Sequence, residues 1–238
     1  ISNRLTQYIL LIVVPFFISC VHFSGLYERS NINNNASGLQ TDQSYRKCGR
    51  GKCAETPIQE KLFKGAGEVL GKTTMNVGGK HFDADCIGTV KAIYYYAGID
   101  LAANFDLYSG NGVTRLFKIL KSKRLLYKTE FPQPGDIIFW DNTYDKNGDG
   151  KRNDPLTHVG MVIGVEEDGM IEYIHQDYKK GNIIARMNLL KPDIFIGEKG
   201  DKTVIVNTPI RMKKGKRYKG KYLSGQLFRV FGKGYLLE

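Results

Sequence analysis

The stretch FDADCIGTVKAIYYYAGIDL, residues 82–101, decides the fold. Ile87, Val90, Ile93, Tyr94 and Ala97 recur at helical spacing, Asp83 and Asp85 stand where acidic caps belong, and Gly98 stands where a helix stops. The pattern predicts a helix with Cys86 in its first turn. At that position backbone N–H groups without partners and the helix dipole favour an anion, so the thiol is expected to ionise more readily than a free cysteine. The same N–H groups could hold the oxyanion of a tetrahedral intermediate.

Upstream, Leu62, Phe63, Ala66, Val69 and Leu70 predict a helix over Pro57 to Lys72, and downstream a third helix is expected from Val113 to Lys121. Beyond it the period changes. Pro134-Gly135-Asp136 opens the apolar run Ile137-Ile138-Phe139-Trp140, which reads as a buried strand. His158 to Glu166 alternates, Glu167-Asp168-Gly169 supplies a turn, and Met170 to His175 returns as the partner strand. A hairpin loop centred near Glu166 to Asp168 puts His158 opposite or diagonal to His175 on one face, a geometry that a bulge in either strand would break. Gly160 and Gly164 leave that face thin, as if to admit the start of the Cys86 helix. Apolar runs at Ile183-Ile184, Thr203 to Ile210 and Leu227 to Phe231 predict further strands. Helices first and strands afterwards make an α+β fold, with the N-terminal helices packed on an antiparallel sheet or small barrel.

A thiol that cleaves an amide needs a base for its proton, and the base needs a third polar group to fix its tautomer. Cys86 as nucleophile, His158 as base and His175 as orienter supply these types. Residues 82–90 with the ending Ala97-Gly98-Ile99-Asp100-Leu101 resemble the nucleophile helix of the NlpC-type cell-wall peptidases, whose core is Asp-Cys-Ser-Gly. Pro134 to Phe139 is similar to their Pro-Gly-Asp-Leu strand, and His158 to Val162 to their His-Val-Gly-Ile strand. The resemblance spans roughly Lys61 to Gln176 and is shared with the CHAP amidase group. It implies a papain-like fold and thiol cleavage of peptidoglycan, commonly at the γ-D-glutamyl bond to the diamino acid. It also implies that the third site residue is His, Asn or Gln, which suits His175. Ile87 stands where the pattern has Ser, the insertion before His158 is long, and the region after Gln176 is not covered.

At the other end, the apolar run Ile9 to Ser19 is too short to span a bilayer and follows Arg4, as in a secretory signal. Phe17-Ile18-Ser19-Cys20 resembles a bacterial lipobox, which implies lipidation of Cys20 and a bacterial envelope protein held to a membrane. Residues 1–20 are therefore read as the signal, 21–56 as a flexible tether, and 57–238 as the hydrolase domain. In an oxidising exterior Cys48 and Cys53 can close a small disulfide loop, which leaves Cys86 unpaired.

Three further features complete the reading. Asp145, Asn147 and Asp149 alternate before Gly150, with Asn153 and Asp154 following, like the first half of a calcium loop; the bidentate Glu is absent because Leu156 takes its place. A structural calcium ion there would brace the segment that delivers His158, and the thiol chemistry itself requires no cofactor. Lys and Arg outnumber Asp and Glu by 35 to 24, and the run Arg211 to Lys221 holds no carboxylate, so a solvated loop or a clamp for anionic cell-wall polymer or lipid is expected. Nothing in the chain has zinc-ligand spacing, a phosphate-cradling glycine loop or a nucleic-acid recognition motif. The expected partner is peptidoglycan, met by a monomer, with a non-catalytic envelope-binding lipoprotein of the same fold as the alternative.

Overall fold

Thr56 and Gln59 open the first helix with reciprocal hydrogen bonds, the Thr56 side chain accepting from the Gln59 N–H while the Gln59 side chain accepts from the Thr56 N–H. Pro57 occupies the first turn, where its missing N–H costs nothing. The helix, α1 (Pro57–Val69), is the first element in a computed structural model that describes residues 56–213 and 217–237. A short hairpin follows, β1 (Met75–Val77) with β2 (Lys80–Phe82), then α2 (Cys86–Tyr96) and α3 (Gly112–Ser122). The strands come next: β3 (Leu126–Tyr127), β4 (Ile137–Trp140), β5 (His158–Val165), β6 (Met170–Asp177) and β7 (Gly181–Asn188). A second hairpin, β8 (Ile196–Lys199) with β9 (Lys202–Ile205), precedes the single turn α4 (Ser224–Leu227) and the last strand, β10 (Phe228–Gly232). The arrangement mixes helices with antiparallel sheets, as the sequence predicts. No helix among the described residues is long and apolar enough to cross a membrane.

The main sheet runs in the order β3-β10-β4-β5-β6-β7 with antiparallel neighbours throughout. Both faces are buried. Ile137, Phe139, Val159, Met161 and Ile174 pack with Leu62, Val90, Ile93, Tyr94 and Leu116 from the three helices. Ile138, Trp140, Val162, Tyr173 and Met187 form a second core with Leu227 and Phe231. Strands buried on both sides read as continuous apolar runs, which is why Ile137 to Trp140 shows no alternation.

One sequence expectation changes here, and one strand takes a place that the sequence left open. The C-terminal strand β10 inserts between β3 and β4, covering the edge that β4 would otherwise present. The strand expected over Thr203 to Ile210 stops at Ile205, because the buried Asn207 takes over the backbone: its Oδ1 accepts from Asn188 and Gly225 N–H, and its Nδ2 donates to the Lys191 and Ile194 carbonyls.

The decisive irregularity lies in the β5–β6 hairpin. Near the turn, Val165 pairs with Ile171 and Gly164 with Glu172; beyond a bulge, Val162 pairs with Tyr173 and Met161 with Ile174. Without that shift the pairing near the turn would set His158 and His175 on opposite faces, since side chains alternate along a strand. The bulge expected to break the histidine geometry is what creates it.

At the start of β4 the carboxyl of Asp136 is fully buried, and its Oδ2 accepts from the Gln133 N–H at 2.6 Å and from the Tyr127 hydroxyl. Burial pushes its pKa up to about 6, against Tyr127, the Gln133 N–H, Lys233 and Tyr235, which all favour the anion. The native state thus binds a proton that the unfolded chain releases near the ordinary carboxylate range, so this group's contribution to stability is lost as pH rises through about 6. The thermal midpoint of Asp136→Asn, measured against wild type by calorimetry, is expected to compare best at pH 7 and to lose ground as pH falls toward 4.

Candidate functional site

Asp85 caps α2, its carboxylate accepting from the Gly88 N–H at 2.7 Å. The chain enters so tightly that a Cβ on Gly88 would lie 2.0 Å from the Asp83 carbonyl oxygen, so this first turn admits only glycine there. Cys86 follows the cap and is the one free cysteine among the described residues. Backbone N–H groups of Val159, Ile87 and Cys86 itself favour the thiolate, but burial foremost and then the charge of Asp85 push the pKa up to about 12. The expected lowering of this pKa is therefore overturned: removal from water outweighs the helix start, and the thiol is neutral.

On the sheet, His158 Nε2 lies 2.9 Å from His175 Nδ1, with the rings edge to face at 5.1 Å. Two aromatic walls hold the pair. The Trp140 ring lies 5.6 Å from His158 and 5.0 Å from Tyr173, and Tyr173 lies 5.3 Å from His175. Trp140 is itself fixed by donating from Nε1 to the Ser224 carbonyl at 2.9 Å. His175 is 4% exposed, and among the described residues its Nε2 has no hydrogen-bond partner. Burial, then the neighbouring His175, lowers the pKa of His158 to about 3, with Asp177 acting in the opposite direction. Burial lowers His175 to about 4 against a backbone contact at Gln176. Both imidazoles are neutral at pH 7.

The structure brings the two histidines together and sets Cys86 at the end of the same strand. The Val159 N–H that faces the sulfur belongs to the peptide unit joining His158 to Val159, so the thiol lies against the backbone next to His158. Among the described residues no hydrogen bond joins the Cys86 sulfur to either imidazole. The glycine expectation also needs correction. The helix α2 packs on the face of Val159 and Met161, whereas the space left by Gly160 is filled from the other face, where an added Cβ would meet Trp140 at 3.2 Å and the His175 Cβ at 3.3 Å. Gly160 makes room for the histidine pair, and the helix lies on the opposite side.

Residues 76–177 match the CHAP domain family model. That span contains Cys86, His158 and His175, and the match supports NlpC/CHAP superfamily membership and a general role as a cell-wall hydrolase acting on peptidoglycan. The antiparallel sheet with its helices is compatible with an α+β CHAP or papain-like fold. Comparison with curated proteins finds no match.

Within the same span, the long insertion before His158 turns its oxygens onto its own backbone. Asp145 accepts from the Gly150 N–H, Asn147 from the Asp149 N–H, and Asp149 from the Lys151 N–H and the Asn153 side chain. Asp154 is buried beside this loop. Among the described residues no three His, Cys, Asp or Glu side chains converge as a metal cluster. In the basic run, Arg211 is buried and donates to the Asn142 carbonyl, so this cation braces the insertion instead of standing in solvent. Cys20, Cys48 and Cys53 lie outside the described residues.

Sequence reasoning missed Trp140, Tyr173 and Asn182. Tyr173 shares parity with His175 and was readable as its neighbour, but the β4–β5 register that brings Trp140 opposite His158 has no local signal. Asn182 is 1% exposed; it accepts from the Thr89 hydroxyl at 2.7 Å and donates to the Val69 carbonyl and the Met75 sulfur, tying the first turn of α2 to α1 and β1.

A histidine buried neutral stabilises the fold above its unfolded pKa near 6.5 and loses that contribution as pH falls toward its folded value. His175 alone is expected to cost about 2 kcal/mol of unfolding free energy between pH 7 and pH 5. Urea denaturation at the two pH values checks this, with His175→Asn expected to show the smaller loss.

Proposed function

We propose that this protein hydrolyses amide bonds in peptidoglycan stem peptides with Cys86 as nucleophile, His158 as base and then acid, and His175 as the group that aims His158. The observation that carries the reading is the 2.9 Å bond between His158 Nε2 and His175 Nδ1 in a segment that matches the CHAP domain, with the Cys86 sulfur against the same peptide unit as His158. Because thiol and imidazole are both neutral at rest, the reaction begins from the neutral pair. The sulfur attacks the carbonyl carbon as its proton passes to His158 Nδ1, which requires His158 to carry its resting proton on Nε2 and donate it to His175 Nδ1. The N–H groups of Cys86 and Ile87, which face the sulfur at the start of α2, receive the oxyanion. The carbon–nitrogen bond then breaks as His158 Nδ1 returns the proton to the leaving amine; water, deprotonated by the same nitrogen, attacks the thioester carbon, and the carbon–sulfur bond breaks as that proton returns to the Cys86 sulfur.

The apolar run before Cys20 supports an envelope location with a lipid anchor. A non-catalytic envelope-binding protein of the same fold is the competing reading, favoured by the neutral thiol. Muropeptide digestion separates them. Cys86→Ala is expected to abolish product and His158→Ala to lower kcat roughly 10²- to 10⁴-fold; equal product from wild type and Cys86→Ala would overturn the proposal. Iodoacetamide labelling of Cys86, followed by mass spectrometry, is expected to be slow at pH 6 and to climb steadily above pH 8, whereas a preformed thiolate would label readily at both.

A further inference from the structure

A cavity of about 170 Å³ opens beside Cys86, between the end of α1, the start of β1 and the β6–β7 turn. Its wall on the catalytic side is Ala84, whose carbonyl accepts from Gln176 Nε2 at 3.2 Å. Ala84 precedes Cys86 by two residues and Gln176 follows His175 directly, so the cavity lies within roughly 7 Å of chain from the nucleophile, about two residues of an extended peptide. The polar lining is one-sided. Lys72, Lys179, Tyr178 and Thr73 are among the residues that line it, and no Asp or Glu does.

Two acids close to these lysines in the chain are already engaged. Asp177 accepts from the Lys179 and Lys180 backbone N–H groups at 2.8 and 3.0 Å. Glu68 meets Lys72 at 3.7 Å with both side chains half exposed, a pairing that water largely screens. Among the described residues Lys179 forms no ion pair. The floor is rigid, because the amide of Asn182 is committed on both sides to Thr89, Val69 and Met75. A concave site bordered by two lysines and the exposed Tyr178, two residues along the chain from a thiol, fits a peptide carboxylate.

The geometry points to this cavity as a subsite that reads a free carboxylate of the substrate peptide through Lys72 and Lys179. The inference rests on the hydrolase reading and deepens it: stem peptides with free acid groups are bound and cut in preference to amidated ones. A carboxylate held there fixes the scissile carbonyl over Cys86, so its loss raises KM more than it lowers kcat.

The test titrates the full chain carrying Cys86→Ala with a stem tetrapeptide having free carboxylates and with the same peptide amidated, by calorimetry. The free acid is expected to bind roughly fivefold more tightly, and adding Lys72→Gln with Lys179→Gln is expected to erase the difference while leaving the amidated peptide unchanged. Equal affinity for the two peptides, absence of binding by both, or a preference that survives the double substitution would overturn the subsite. Turnover by the chain with Cys86 intact is followed in parallel. Product without carboxylate preference sinks the subsite and leaves the hydrolase, whereas carboxylate-dependent binding without product sinks the hydrolase and leaves the subsite.

Discussion

The hydrogen bond between His158 and His175 exists because one extra residue in β5 reverses the parity of the hairpin. Ahead of the bulge, Val162 and Tyr173 face the same side as the two imidazoles; behind it, the strand has returned to the pairing dictated by the turn. Gly160 then leaves the volume that Trp140 and the His175 Cβ occupy. Bulge, glycine and indole together set the place of the two rings.

That setting fixes the electrostatics of the site. A helix start stabilises an anion by about 0.3–1 kcal/mol at exposed positions and up to about 2 when partly buried. Full burial of a titratable group shifts its pKa by up to about 3–5 units, each worth about 1.4 kcal/mol. Desolvation therefore wins at Cys86, and Asp85 adds to it, because the carboxylate that caps the helix is also a like charge beside the thiolate. The same burial keeps both imidazoles uncharged. The resting site thus keeps its proton on sulfur, the starting point of the proposed reaction.

Distant residues hold these groups in register. Asn182 bridges three elements under the first turn of α2, and Gln59 reaches from α1 to the Pro134 carbonyl at 2.9 Å. Arg211 clasps the insertion that precedes His158, and β10 closes the edge beside β4. The C-terminal region outside the CHAP match thus completes the scaffold on which the site stands.

Local pattern was enough for the helix that begins at Cys86, for its Asp85 cap, for the strands at Ile137 and His158, and for the hairpin that returns toward His175, because helical and strand periodicities are short-range properties of side-chain order. The same order named the three residues of the proposed chemistry. It could not reveal that the helix lies on the Val159 face, that Trp140 meets His158, or that β10 enters the middle of the sheet, since each depends on pairings between segments far apart in the chain. Nor could it weigh burial against the helix dipole at Cys86. Composition says which groups can ionise, and only the packing around them decides which of them do.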